Sequence, residues 1–88
     1  MATNGPSSGK SRRDANTNRV FGEVLREFRK VAGETQESMA NAVGMDRAYV
    51  SEIERGLKEP CLSTLLKLSK CLGVSSADIL REVERRLT

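Results

Sequence analysis

The chain has 88 residues, a formal net charge of +3 and no histidine, and only 3% of its residues are aromatic. This length accommodates one domain with a small core, which favours a compact bundle of helices over a larger architecture. Without histidine, the chain cannot use imidazole as a general base or as a metal ligand.

The first segment, residues 1–17, is predicted to be a disordered basic N-terminal arm. It is rich in Gly, Ser, Asn and basic residues and has no apolar periodicity. The excess positive charge of the chain lies here and at Arg19, because residues 20–88 carry equal numbers of basic and acidic side chains. The remaining residues, 18–88, are predicted to form one domain.

Helix 1 is predicted from about Arg19 to Ala32. Thr17 or Asn18 can cap its N-terminus, and Gly33 suits its C-terminal end. Apolar positions recur at helical spacing and form one stripe. The stripe consists of Phe21, Val24, Leu25, Phe28 and Val31 or Ala32.

Two short helices joined by a tight turn are predicted next. Helix 2 follows the N-cap residue Thr35 and runs to Val43, and Gly44 supplies the left-handed backbone of the turn. Helix 3 runs from Arg47 to about Arg55 and ends at Gly56. The carboxylate of the preceding residue, Asp46, is expected to accept hydrogen bonds from the free backbone N–H groups of its first turn.

Small or apolar residues fall where these two helices would cross, namely at Ala40, Val43, Val50 and Ile53. This pattern is typical of a helix-turn-helix, which presents its second helix to the major groove of DNA. The pattern indicates a DNA-binding chain that performs no chemistry.

Helices 4 and 5 complete the predicted fold. Ser63 is expected to cap helix 4, whose apolar positions are Leu65, Leu66, Leu68 and Leu72. Ser75 is expected to cap helix 5 in a capping box with Asp78. Helix 5 has Ile79, Leu80, Val83 and Leu87 facing inward or facing a partner. Five helices with short loops and no strand signal predict an all-α, compact five-helix bundle.

Several functional classes find no support in the sequence. Cys61 and Cys71 lack the spacing of a disulfide framework or a zinc site and are interpreted as free thiols in a reducing cytoplasm. There is no apolar run of membrane-spanning length and no secretory signal. No phosphate-binding glycine loop and no nucleophile–base set is present. We therefore predict no enzyme activity, no metal, no cofactor and no membrane partner.

Four segments together resemble the Cro/cI-type (XRE family) helix-turn-helix domain. They are FGxxLRxxRxxxGxTQxxxA at 21–40, SEIERG at 51–56, PxLxTLxKL at 60–68 and LGVS at 72–75. The resemblance covers roughly residues 19–80. It implies the lambda repressor-like fold and a cytoplasmic, bacterial or phage-type transcriptional regulator, similar to small phage repressors and restriction–modification controller proteins.

Helix 3 would carry base recognition in such a domain. Arg47 can pair with a guanine edge, and Ala48 can contact a thymine methyl group. Tyr49 can reach a phosphate or a base edge, and Ser51 lies further along the same face. Glu52 can accept from a cytosine amino group or orient Arg47. The alternatives are that Arg47 contacts only phosphate and that Glu52 is solvated or paired with an arginine.

Phosphate contacts are expected from Gln36, Thr35, Arg55, Lys58 and Arg29. The resemblance implies that Gln36 contacts a phosphate and braces helix 3, and that residues 55–59 hold the DNA backbone. The alternatives are that Gln36 is an exposed first-turn residue and that Lys58 is an ordinary loop lysine.

Two residues at 57 and 59 depart from that pattern, because Leu57 and Glu59 do not favour phosphate. The resemblance also implies a partly buried salt bridge between Arg29 and Glu54. This pair would tie helix 1 to the end of helix 3, with phosphate binding a secondary role for Arg29.

Helix 5 is the candidate dimer interface, through Leu80, Val83 and Leu87. A homodimer would bind a palindromic double-stranded operator with half-sites about one helical turn apart. The alternative is that these residues pack within the monomer or fray.

Two further alternatives remain open at this point. The N-terminal arm is either a solvated tail, in part vector-derived, or a segment that lies along the DNA backbone or in the minor groove. The rival function is an antitoxin-like or other protein-interaction module with this fold.

Overall fold

The computed structural model describes residues 12–88, and within that range the chain forms five α-helices and no strand. The predicted all-α five-helix bundle is confirmed. The helices are α1 (Arg12–Val31), α2 (Gln36–Val43), α3 (Arg47–Glu54), α4 (Leu62–Leu72) and α5 (Ser76–Leu87). No helix in the described range is long and apolar enough to cross a bilayer.

Helix α1 begins well before its predicted start at Arg19. Residues 12–17, assigned to the disordered arm from the sequence, are helical, and residues 1–11 of that arm lie outside the described residues. Arg19 donates to Asn16 at 2.6 Å and to Glu23 at 2.9 Å, so local side-chain contacts of the kind that support helices continue across the predicted boundary. Asn18, a predicted cap, is instead a buried residue inside the helix.

The core is made by all five helices. Its largest fully buried side chains are Leu25, Met39, Ile53, Leu68, Ile79, Val24 and Val50. The predicted stripe of α1 extends too far, because Val31 is 89% exposed at the end of the helix. Leu66 is also exposed rather than apolar core. Helix α4 instead turns Thr64 and Ser69 inward, and Ser69 donates to the Leu65 carbonyl at 2.9 Å.

The caps of α2 and α3 differ from each other. The Thr35 hydroxyl accepts from the Ser38 N–H at 2.9 Å, and the Ser38 hydroxyl accepts from the Thr35 N–H at 2.9 Å. This reciprocal capping box was only half predicted, because serine replaces the usual Glu or Gln at its third position. The predicted cap of α3 is wrong, because Asp46 holds the N-cap position but its carboxylate makes no capping hydrogen bond.

The caps of α4 and α5 were predicted with mixed success. Helix α4 begins after Cys61, two residues earlier than a Ser63 cap would allow, so that prediction is wrong. Ser75 caps α5 as predicted and accepts from the Asp78 N–H at 3.1 Å. The Asp78 carboxylate accepts from Arg81 at 2.8 Å and makes no reciprocal bond to the Ser75 N–H, so the predicted capping box is only half formed.

A close backbone contact joins α1 to the end of α3. A Cβ atom on Gly22 would lie 2.5 Å from the Ile53 carbonyl oxygen and would also overlap the Glu54 carbonyl. Gly56, at a φ of 78°, would likewise bring a Cβ within 2.8 Å of the Arg19 Cα. Two glycines therefore allow α1 to lie directly on the C-terminal end of α3.

Candidate nucleic-acid interface

Helices α2 and α3 form the predicted helix-turn-helix. All four crossing residues are buried, namely Ala40, Val43, Val50 and Ile53. Gly44 has a φ of 74°, and the Met45 N–H donates to the Ala40 carbonyl at 2.9 Å, which closes the turn between the helices. With one face of α3 buried in this way, its N-terminal residues Arg47 and Ala48 are left exposed to solvent.

A buried polar link joins three helices behind α3. The Arg29 Nε lies 2.6 Å from the Glu54 Oε2, and the Arg29 Nη2 lies 3.0 Å from the Glu54 Oε1. The Gln36 side-chain amide donates to the same Glu54 Oε1 at 3.0 Å. Hydrogen bonding to Glu54 raises the pKa of Arg29 above its ordinary value, so the arginine stays charged. Such a buried pair fixes the geometry of the helices it joins.

The internal partners of Arg29 bear on its predicted phosphate role. Its Nη1 donates to the Glu34 carbonyl at 3.0 Å, so all three guanidinium nitrogens have partners within the chain. Only 11% of the side chain is exposed. The geometry therefore favours Arg29 as a bracing residue and not as a contact for an external phosphate.

The other candidate base-reading residues have mixed exposure. Tyr49 is half-buried and packs against the hydrophobic core. Ser51 and Glu52 are half-buried, and the Ser51 hydroxyl accepts from the Arg55 Nε at 3.3 Å. Of these candidate residues, Arg47 and Ala48 are therefore the most exposed to solvent.

An open cleft lies where α1, the first turn of α2 and the exposed side of α3 meet. We call it the cationic cleft, and its lining residues are Arg26, Arg29, Thr35, Gln36, Glu37, Arg47, Ser51, Glu54 and Arg55. Most of these were predicted. Arg26 and Glu37 were missed, although Arg26 is one helical turn from Arg29 and falls within the segment that carries the resemblance.

The loop after α3 contributes less than expected to this cleft. Lys58 is exposed but does not line it, and Leu57 and Glu59 beside it are also exposed. The structure thus brings together four of the five predicted phosphate-binding residues and leaves Lys58 apart. The four are Arg29, Thr35, Gln36 and Arg55, and of these Arg29 is already bonded within the chain.

The candidate dimer residues of α5 divide into two groups. Val83 is 4% exposed and belongs to the core of the monomer, so it does not face a partner as predicted. Leu80 and Leu87 are 41% and 38% exposed. Three further leucines are exposed outside α5, namely Leu57, Leu62 and Leu66.

The two thiols have different environments. The Cys61 sulfur lies 3.2 Å from the Ser63 hydroxyl and 3.3 Å from the Thr64 hydroxyl, and these hydrogen bonds lower the pKa of Cys61 to about 6. Cys71 is half-buried, and its burial raises the pKa of its thiol. Within residues 12–88, no group of three potential ligands could hold a metal ion.

Comparison with known proteins gives a consistent family. The helix-turn-helix family HTH_3 matches residues 25–79. The prophage-derived HTH-type transcriptional regulator YonR of Bacillus subtilis is 42% identical over 62 residues, which cover 70% of this chain and 57% of YonR. The control protein C.BamHI of Bacillus amyloliquefaciens is 37% identical over 62 residues, which cover 69% of this chain and 76% of that protein.

Solved structures show the same fold. The clp gene regulator ClgR from Corynebacterium glutamicum superposes with a TM-score of 0.78 at 35% identity, over 81% of this chain and 76% of that chain. The biofilm regulator SinR, solved in complex with DNA, gives a TM-score of 0.64 at 33% identity, over 68% of this chain and 97% of that chain.

Proposed function

The chain belongs to the helix-turn-helix family HTH_3 of XRE-type transcriptional regulators, and on this premise we propose that it binds operator DNA sequence-specifically with α3 in the major groove. The family consists of DNA-binding regulators and is not an enzyme family. The single observation that carries the proposal is the exposed N-terminal end of α3, which the Arg29–Glu54–Gln36 link holds beside the cationic cleft. A helix end held in this way can enter a groove without reorganisation.

Base recognition is assigned to the exposed side of α3. Arg47 would donate two hydrogen bonds to a guanine edge, and Ala48 would contact a thymine methyl group. Glu52 would accept from a cytosine amino group or orient Arg47. Ser51 and the hydroxyl end of the half-buried Tyr49 would complete the surface.

Phosphate binding is assigned to residues around the first turn of α2 and the end of α3. Thr35 and Gln36 lie at a helix N-terminus, where backbone dipoles favour an anion. Arg55 lines the same cleft, and the exposed Lys58 would contact the DNA backbone further along. Arg29 is assigned to bracing α3, because its guanidinium is already bonded within the chain.

A homodimer on a palindromic operator is the proposed assembly. The exposed leucines of α5, Leu80 and Leu87, support an isologous contact in which each helix meets its symmetry mate. Sedimentation equilibrium of Leu80→Ser and Leu87→Ser should show weaker association than the native chain. A native chain that stays monomeric at high concentration would exclude this dimer.

A selection of duplexes from a random pool tests the function directly. The native chain should enrich one sequence, and mobility shifts should then show about 10³-fold or tighter binding to that sequence than to competitor DNA. Repeating the mobility-shift assays at two salt concentrations separates the contribution of phosphate contacts to the affinity from that of base recognition. Enrichment of no sequence would refute the proposal.

A protein-binding role is the second candidate. Leu62 and Leu66 favour it, because both are exposed and lie four residues apart on one side of α4, and neighbouring exposed apolar side chains mark surfaces that bind other proteins. In that case, DNA binding would be weak, salt-sensitive and equal for all sequences in the same assay.

A further inference from the structure

Arg26 lies on the face of α1 that contacts α3. Gly22 and Arg29 are four residues before it and three residues after it, so the three residues share one side of the helix. Gly22 packs against the Ile53 and Glu54 carbonyls, and Arg29 pairs with the Glu54 carboxylate. Arg26 therefore lies at the edge of this contact, where its exposed side chain lines the cationic cleft.

The charges of the cleft do not cancel. Arg29 and Glu54 neutralise each other in their buried pair. Among the described residues, Arg26 and Arg47 have no hydrogen bond or ion pair from their side chains, and Arg55 bonds only to the neutral Ser51 hydroxyl. Glu37 is the one other acidic residue in the lining. The cleft thus holds more positive than negative charge and attracts an anion.

We propose that Arg26 binds a phosphodiester group of the DNA backbone in this cleft, together with Arg55. A guanidinium matches phosphate well, because its planar N–H groups can donate two parallel hydrogen bonds to the phosphate oxygens. The cleft is open and adjoins the exposed side of α3, so a duplex that receives α3 in its groove would bring its backbone there. The inference rests on the proposed function and adds to it a contact on α1.

This assignment separates two arginines that lie one turn apart. Arg29 has Glu54 and the Glu34 carbonyl as partners and braces the fold. Arg26 has no such partner among residues 12–88, so its guanidinium can bind phosphate. The competing explanation is structural, because a cation near the C-terminal end of α3 also stabilises that helix end. A structural role would lower the melting temperature of an Arg26 variant without changing how DNA binding depends on salt.

The test compares Arg26→Gln with Lys70→Gln. Both changes remove one positive charge from an exposed helical position, and Lys70 lies on α4 outside the cationic cleft. Binding to a random-sequence duplex is measured by fluorescence anisotropy between about 50 and about 200 mM salt. Loss of one phosphate contact should reduce the slope of log K against log salt by about 0.9, and Lys70→Gln should leave it nearly unchanged.

The same contact has a second signature. The ratio of native to Arg26→Gln affinity should shrink by about threefold over that salt range, because the slope difference of ~0.9 acts over a fourfold change in salt. Arg26→Lys should retain the native slope, since it keeps the charge. Arg26→Ala serves as a second neutral variant, and circular dichroism shows that each protein is folded at the assay temperature.

The outcomes distinguish the two proposals. Equal slopes for Arg26→Gln and Lys70→Gln would overturn the Arg26 assignment and leave the proposed function standing. A native chain that binds duplex DNA without selecting a sequence would refute sequence-specific regulation. The salt slope of Arg26→Gln would still show whether Arg26 contacts a phosphate. No binding to any duplex would refute both. The Arg26 side-chain NMR signal can also be followed during titration with inorganic phosphate alone. If inorganic phosphate shifted this signal with the same affinity as DNA, the cleft would be a small-anion site and the inference would be overturned.

Discussion

Arg29 and Glu54 lie 25 residues apart in the sequence and form a buried, two-pronged ion pair between α1 and α3, with the shorter contact at 2.6 Å. Gln36 adds α2 to the pair through the same carboxylate. The orientation of α3 therefore depends on a polar contact that neither the turn nor the hydrophobic core supplies.

Removing one partner of this pair should be costly. Arg29→Met leaves the Glu54 carboxylate buried without its counter-charge, and we expect the free energy of unfolding to fall by about 3–5 kcal/mol. Urea denaturation measures the change. The exposed pair of Arg81 and Asp78 provides the control, and Arg81→Met should cost no more than about 1 kcal/mol.

A double variant tests the reason for that cost. Arg29→Met combined with Glu54→Leu removes both charges together with their desolvation, so its stability should lie much closer to that of the native chain. An Arg29→Met variant that is no less stable than Arg81→Met would contradict this account of the pair.

The contact at Gly22 predicts an unusual effect of alanine. In an open helix, Gly→Ala stabilises by up to about 1 kcal/mol. At Gly22 the added methyl group would meet the Ile53 and Glu54 carbonyls, and the displacement should cost about 1–3 kcal/mol. Thermal unfolding of Gly22→Ala measures the loss, with Asn41→Ala on the exposed face of α2 as the control that should not destabilise. A stabilised Gly22→Ala would mean that α1 does not lie on the end of α3.

Arg47→Ala distinguishes base recognition from phosphate binding. If Arg47 reads a guanine, the variant should lose roughly 1–3 kcal/mol of the binding free energy that discriminates between bases at one operator position. Discrimination at the other positions should be unchanged. Lys58→Ala is the comparison, since a phosphate contact weakens binding to every sequence equally and reduces the salt slope by about 0.9. A uniform loss for Arg47→Ala would remove Arg47 from the base-reading set. Competition shifts with single-base operator variants give the measurement.

The two cysteines should react at different pH. Hydrogen bonds from Ser63 and Thr64 favour the Cys61 thiolate and lower its pKa to about 6, so at pH 7 most of this thiol is ionised. Burial raises the pKa of Cys71, which should stay protonated. Alkylation by iodoacetamide, followed by mass spectrometry, should modify Cys61 first with a midpoint near pH 6.

Ser63→Ala checks the cause of that reactivity. It removes the hydrogen bond that contributes most to the shift, so the midpoint of Cys61 alkylation should move upward in pH. Ser63 is exposed, and the substitution should leave the fold intact. An unchanged midpoint would rule out the hydroxyl as the cause.

Local signals in the sequence were good predictors where short-range chemistry decides the structure. Thr35, Gly44 and Ser75 each perform the capping or turn role expected of their residue types. The start of α1 was missed because the segment before Arg19 has no apolar periodicity. Its helical conformation is accompanied by polar contacts, such as that between Arg19 and Asn16, which leave no clear pattern.

The sequence by itself determined the number and order of the helices, the turn between α2 and α3 and the family, because caps, glycines and apolar spacing act within a few residues of one another. Only the tertiary structure decided that Val83 is buried, that Val31 is exposed and that Arg26 has no side-chain partner among residues 12–88. The exposure and the partners of a side chain depend on segments distant in the chain. The family resemblance therefore implied the pairing of Arg29 with Glu54, but only the packing of α3 against α1 shows that Arg26, one turn away, lines the open cleft.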